Sequence, residues 1–136
     1  MTITDHTAPV LDVHDLHHRW EAAFNAGDID AMISMYTDDA IIVPGPGAPE
    51  VRGTAAIRQA LVDFVALGGT ITGTDRFWLV ADDLALGSSA HQMSGGHAPD
   101  GTPIDLHGIT SEIAIRDDEG AWRFVIDHPF GGSDQG

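Results

Sequence analysis

Residues 102–130 read TPIDLHGITSEIAIR, then DDEG, then AWRFVIDHPF. Two runs rich in β-branched and aromatic residues flank an acidic turn, the pattern of two neighbouring strands. The texture continues upstream. Thr70–Val80 and Leu84–Ser94 are strand-like and separated by Asp82-Asp83, and Pro99-Asp100-Gly101 separates the second of them from Thr102–Arg116. Parallel neighbours need long crossovers, so links this short predict a meander of antiparallel strands.

The first half of the chain has a different period. Val13, Leu16, Trp20, Ala23 and Phe24 recur at helical spacing from Leu11 onward, and Asn25-Ala26-Gly27 supplies a stop. Asp28 can cap a second, shorter helix with Ile29, Met32, Ile33 and Tyr36 on one face. Asp38-Asp39 then reads as a solvated turn, Ala40–Val43 as a short strand halted at Pro44, and Pro44, Gly45, Pro46, Gly47 and Pro49 as a loop. After the short stretch Glu50–Gly53, Thr54 is placed to cap a third helix whose inner face carries Ile57, Leu61, Phe64 and Val65, ended by Gly68-Gly69. Helices followed by a run of strands predict an α+β fold with the helices on one face of a curved sheet. The expected organisation is a flexible start over 1–10, one domain over 11–130 and a frayed tail over 131–136.

A chain of 136 residues can bury one substantial core. Its formal net charge of −15 narrows the functions available. All six cations are arginine, so lysine Schiff-base chemistry and a P-loop are excluded. No basic patch exists to meet phosphates, which argues against nucleic acid or an anionic membrane as partner. With no cysteine, thiolate catalysis and disulfides are excluded too. Residues 1–10 lack the basic start and apolar core of a signal peptide, and no apolar run is long enough for a membrane span, so a cytoplasmic location is expected.

Proton-transfer candidates cluster late in the chain. In GITSEIAIR, Glu112 shares a strand face with Gly108, Thr110 and Ala114, opposite Ile109, Ser111, Ile113 and Ile115. Facing inward, it would be desolvated and suited to acid–base work near neutral pH; facing outward, it would be a solvated partner for Arg116 or Arg123. Asp127 and His128 are adjacent, so one faces the interior and the other does not, and the alternation Trp122, Phe124, Ile126 groups His128 with the apolar series. Either could instead be a polar strand end bonded to local backbone. His91 and Met93 share a face, where the histidine is a catalyst or simply a satisfied rim group; His107 faces opposite to Glu112 and is weaker. His14, His17 and His18 stand at i, i+3 and i+4, a spacing able to chelate, but without an HExxH pattern no metal is expected. Trp20, Phe24, Met32, Tyr36, Phe64 and one of Phe77 or Trp78 are core residues by their spacing, and some would also line a pocket.

GDIDAMISMYTDDA (27–40) before a strand, followed by VRGTAAIRQAL (51–61), resembles the nuclear transport factor 2-like superfamily, and within it SnoaL-like and ketosteroid-isomerase-like proteins. RDDEGAWRFVIDHPF (116–130) is similar to the small SnoaL-like branch that includes accessory proteins of polyketide and enediyne biosynthesis. The resemblance implies a cone-shaped fold, three N-terminal helices on a curved, mostly antiparallel sheet enclosing a pocket, and often a homodimer built on the sheet's outer face. It also implies a register with Asp127 inward. The isomerases use a tyrosine on the first helix, an aspartate ending the first strand and a second acid late in the sheet. In this chain those places fall on Trp20, Pro44 and near Glu112. Trp20 has no hydroxyl and Pro44 cannot accept a proton, so steroid-type isomerisation by that set is not expected.

The expected function is a cofactor-independent isomerase, cyclase or dehydratase for a hydrophobic, polyketide-like or polycyclic molecule. Glu112, Asp127, His91 and His128 are the candidates for proton transfer. Trp20, Phe24, Met32, Tyr36, Phe64, Trp78 and Met93 are the candidates for substrate contact, with Trp20 and Tyr36 orienting it. The alternatives are a non-catalytic binding or biosynthetic accessory protein and, third, a hydrolase of the epoxide type.

Overall fold

The computed structural model describes residues 8–45 and 47–132. Pro46 of the Pro–Gly loop and residues 1–7 and 133–136 of the two expected flexible ends lie outside the described residues. Asp12 accepts from His14 N at 3.0 Å and caps a 3-10 turn, Val13–Asp15, that runs into helix α1 (Leu16–Asn25). The helix thus starts later than its apolar spacing suggested, and Leu11 is exposed. At its other end Asn25 donates to Ile71 O at 2.9 Å and accepts from Ile71 N at 2.8 Å, which ties α1 to the sheet. Asp28 caps α2 (Ile29–Ile33) by accepting from Ala31 N at 3.1 Å.

Two expected boundaries move. Tyr36 belongs to strand β1 (Tyr36–Ile42), not to α2, because the backbone at Met35 already accepts from Phe124 N at 2.7 Å. Asp38 and Asp39 are therefore exposed strand residues rather than a turn. After β2 (Val51–Arg52), helix α3 (Thr54–Val65) is entered from Gly53, whose φ of 90° a residue with a side chain would adopt only under strain. Thr54 is its first residue and not its cap.

The remaining strands are β3 (Thr70–Ala81), β4 (Leu84–His97), β5 (Pro103–Ile109), β6 (Ser111–Arg116) and β7 (Trp122–His128). They form a seven-stranded sheet ordered β2-β1-β7-β6-β4-β3, with β5 on the far half of β4. Pairing is antiparallel except between β1 and β7, which are parallel. The helices cover its inner face, giving the cone-shaped α+β fold. The stretch 102–116, expected as one strand, breaks at Thr110, so that β4 pairs with β6 through Leu84–Gly87 and with β5 through Ala90–His97. Thr110 N donates to Ser89 O and Thr110 Oγ1 accepts from Ser89 N, both at 2.8 Å, while Ser88 Oγ donates to Thr110 O at 2.7 Å. The break therefore strands no buried backbone group there.

Two bulges re-aim side chains. The register shifts between Asp75 and Phe77 on β3, and again where Ala114 pairs with Phe124 but Ile113 with Ile126. One extra residue inverts the phase of a period-2 strand. Hence Asp75 and Trp78 both point inward, as do Phe124 and Asp127. Trp78, Gly87, Glu112, Asp127 and Ile42 then stand in register across five strands of the inner face. Gly87 is required in that row: a Cβ there would lie 2.4 Å from the Trp78 ring. The indole lies over Gly87 and stacks on His17, ring centroids 4.6 Å apart.

Leu16, Phe24, Met32, Ile57, Leu61 and Met93 are almost wholly buried beneath the helices. Val10 joins them at 3 % exposure, and its carbonyl accepts from Trp122 N at 2.8 Å, so this part of the expected flexible start is fixed in the core. Replacing a strand glycine by alanine ordinarily stabilises. At Gly87 the contact with Trp78 reverses the sign: Gly87→Ala is expected to lower stability by about 1–3 kcal/mol in urea denaturation, with a changed near-UV tryptophan signal.

Candidate active site

Between α1, α3 and the sheet lies a cavity of about 70 Å³, several times the space needed to seat one water. Its walls are largely apolar, from Ile42, Leu61, Phe64, Ile71, Phe124 and Phe130. The polar groups converge on the inner row of the sheet.

Glu112 and Asp127 are 3 % and 6 % exposed and sit directly opposite one another on β6 and β7. Each is held on one oxygen by neighbours. Glu112 Oε1 lies 2.7 Å from His17 Nε2 and accepts from Thr110 Oγ1 at 2.8 Å. Asp127 Oδ2 accepts from the Tyr36 hydroxyl at 2.6 Å, and that hydroxyl in turn accepts from Trp20 Nε1 at 3.0 Å. His17 Nδ1 lies 2.8 Å from Asp75 Oδ1. Because ionised carboxylates only accept, an imidazole between two of them is satisfied as the doubly protonated cation.

The charges follow from this geometry. Burial pushes His17 down, but the hydrogen bond and charge of Glu112, joined by those of Asp75, outweigh it and leave His17 above its ordinary value. Burial raises Asp127, the facing charge of Glu112 raises it further, and together they carry it to about 7 despite the Tyr36 hydroxyl. Asp127 and Glu112 face each other in register, so a proton on one of them relieves the repulsion between the pair. Tyr36 is pushed well above the usual phenol range by burial and by Asp127, so it stays a donor. At the rim, burial lowers His91, whose Nε2 lies 2.8 Å from Pro129 O.

Of the residues singled out in the sequence, Glu112, Asp127, His91, Trp20 and Phe64 line the cavity. His128 does not: the β7 bulge puts it with Ser111 on the outer side, where its Nδ1 accepts from Phe130 N at 3.3 Å. Tyr36 is buried behind Asp127, so it positions a carboxyl and does not touch the cavity space. Phe24 stands behind Trp20 and Phe64 at ring separations of 5.6 and 5.0 Å. Met32 and Met93 are core, and Trp78 backs His17 while Phe77 points out. Glu112 takes neither arginine offered to it: Arg116 pairs with Asp83 at 2.7 Å and Arg123 with Asp117 at 3.2 Å.

His17 and Asp75 belong to the site, although the sequence reading gave His17 only a chelating role and Asp75 none. The three helix histidines diverge, His14 toward Asp12, His17 inward and His18 to the surface. The signal for His17 was present: it stands four after Val13, three before Trp20 and seven before Phe24, on the buried stripe of α1. Asp75 had no such signal, since its direction depends on the alternation of β3.

A family model described as a SnoaL-like domain matches residues 17–130. The fold matches a conserved protein from Planctomyces limnophilus (TM-score 0.75, 18 % identity, 88 % of this chain and 93 % of that one). A ketosteroid isomerase-like protein from Erwinia carotovora atroseptica gives a TM-score of 0.69 at 21 % identity over 93 % of this chain and 95 % of that one. An NTF-2 like protein of unknown function from Shewanella oneidensis gives 0.69 at 16 % identity over 85 % and 93 %. With the family match spanning most of the chain, the protein belongs to the SnoaL-like family, and it shares its fold with these structures.

Proposed function

We propose that this protein is a cofactor-independent acid–base enzyme, an isomerase, cyclase or dehydratase, for an apolar molecule of polyketide-like or polycyclic type. The SnoaL-like fold and its cavity support small-molecule binding. The observation that carries catalysis is the Glu112–Asp127 pair: two facing carboxyls on one cavity wall whose surroundings differ in charge. Paired carboxyls pushed apart in proton affinity divide into base and acid.

Glu112, beside the His17 cation, is the base; Asp127, whose pKa is raised to about 7, is the acid. Glu112 takes a proton from carbon while Asp127 gives one to the substrate oxygen. In a dehydration the C–H electrons form the new double bond, and the C–O bond breaks as Asp127's proton leaves with the oxygen as water. In an isomerisation Glu112 returns its proton at a second carbon. In that isomerisation Asp127 takes its proton back from the substrate oxygen; after a dehydration the proton passes from Glu112 to Asp127, which stands opposite it on β7. His17 and Asp75 position and charge Glu112; Trp20 and Tyr36 position Asp127.

Elimination of 5-nitrobenzisoxazole tests for a carboxylate base in an apolar cavity without knowledge of the natural substrate. Glu112→Gln is expected to reduce kcat/KM by about 10²–10⁴. An unchanged rate would remove Glu112 as base and favour the non-catalytic binding reading.

The proton on Asp127 has its own signature. Its folded pKa lies above the unfolded value, so its stabilising contribution is complete below about 4 and is lost as pH rises through about 7. Subtracting the Asp127→Asn stability profile from wild type, by urea denaturation at several pH values, is expected to leave a decline over that window.

A homodimer is also proposed. Leu79, Leu86, Ile113 and Ile126 stand in register across the outer face, and Leu79, Leu86 and Ile126 are 62 %, 42 % and 40 % exposed. An apolar row of this kind on a sheet is suited to a like surface. Light scattering is expected to give twice the chain mass for the wild type and the chain mass for Leu86→Arg; a monomeric wild type would sink the idea.

A further inference from the structure

We propose that the cavity selects its ligand by charge, accepting uncharged or amine-bearing apolar molecules and excluding carboxylates, phosphates and their esters. The inference deepens the small-molecule reading above and rests on it for the location of the site, though not on catalysis.

Each of the six arginines is committed elsewhere or stands away from the cavity. Arg19 donates to Ala8 O, Arg58 pairs with Asp30, and Arg76 donates to Ser88 Oγ at 3.1 Å from the outer side of the sheet. Arg116 and Arg123 hold Asp83 and Asp117. Arg52 is exposed on β2, and none of the six lines the cavity. The charge of His17 is spent between Asp75 and Glu112. His91 offers no positive charge either, because burial disfavours its cationic form. Among the described residues, the ionisable groups that do face the space are the carboxyls of Glu21, Glu112 and Asp127, with His17 and His91. A ligand anion would lose its water among Phe64, Ile71, Phe124 and Phe130 with no uncommitted counter-charge among the described residues to meet it, and would face Glu112 besides. The net charge of −15 opposes its approach from a distance as well. An alcohol, ketone or amine meets complementary partners instead: Asp127 donates to an oxygen, and Glu112 accepts from O–H or N–H.

Three probes of one shape separate these cases: 2-naphthylmethanol, 2-naphthylmethylamine and 2-naphthoate, titrated calorimetrically into the full chain at neutral pH. The alcohol and the amine are expected to bind, and the naphthoate at least about tenfold more weakly. Glu112→Gln, close in volume, is expected to narrow the gap between alcohol and naphthoate. Naphthoate bound as tightly as the alcohol, no binding of the alcohol, or a gap untouched by Glu112→Gln would overturn the proposal. Because the readout is binding, it is separable from the catalytic reading. Loss of base catalysis leaves the charge preference intact, and loss of the preference leaves the benzisoxazole assay to stand alone.

Discussion

Two carboxyls face each other across neighbouring strands inside an apolar shell, and they cannot both carry a charge without help. Glu112 and Asp127 are in direct register on β6 and β7, where a like-charged pair is destabilising even at a surface. Buried, the repulsion is larger, and the surroundings settle it by treating the two differently. Glu112 receives a cation and a hydroxyl; Asp127 receives a phenol and a proton. The arrangement reaches back through three elements. The His17 ring comes from α1, its second carboxylate from β3, and the Tyr36 hydroxyl from the start of β1. Removing any one would leave a buried polar group of another without its partner, at a cost of about 1–3 kcal/mol per group. The polar network thus constrains how α1 lies on the sheet.

That placement is itself built from short-range features. Asn25 ties the end of α1 to the backbone of Ile71, and Trp78, laid over Gly87, fills the space behind the imidazole. Two turns of helix back from Asn25, His17 then lies opposite Asp75, four residues along β3 from Ile71. A glycine in the middle of a long strand is normally a weakness. Here it makes room for the ring that shields the charged trio from water on one side, and shielding strengthens every interaction within it.

Much of this architecture can be read from the chain. The helical stripe of Val13, Leu16, Trp20 and Phe24, the Asp28 cap and the acidic turns between strands are local signals with local causes, and they predict the elements well. The inward direction of Glu112 came from the family register, against a more apolar opposite face. What the residues could not reveal alone is phase. A bulge at Val125 turns Asp127 inward, although the alternation Trp122, Phe124, Ile126 points the other way, and a bulge at Arg76 does the same for Asp75 and Trp78. Neither bulge carries a glycine or proline to announce it. Each arises because a neighbouring strand, fixed by its own contacts, pairs on both sides of one extra residue. Tyr36 fails for a related reason: the spacing that fits a helix face also fits the first inward position of a strand, and Phe124 pairing with Met35 decides between them. His17 is the opposite case. Its position on the buried stripe was legible, and only the habit of reading clustered histidines as ligands concealed it.

Pro44 marks one place where this chain departs from the ketosteroid isomerases it resembles. It lines the cavity at the end of β1, the place where the resemblance to ketosteroid isomerases would put a base, and its ring can neither take nor give a proton. Trp20 likewise replaces a phenol on α1, but it is not idle. Its indole N–H donates to the Tyr36 hydroxyl, which donates in turn to Asp127 on the cavity wall. The carboxyls of Glu112 and Asp127 thus stand together on β6 and β7, and Pro44 lines another part of the largely apolar wall. A wall so largely apolar, with its few polar groups gathered on neighbouring strands, suits molecules whose recognition is mostly hydrophobic burial and whose orientation is fixed by a small number of polar contacts.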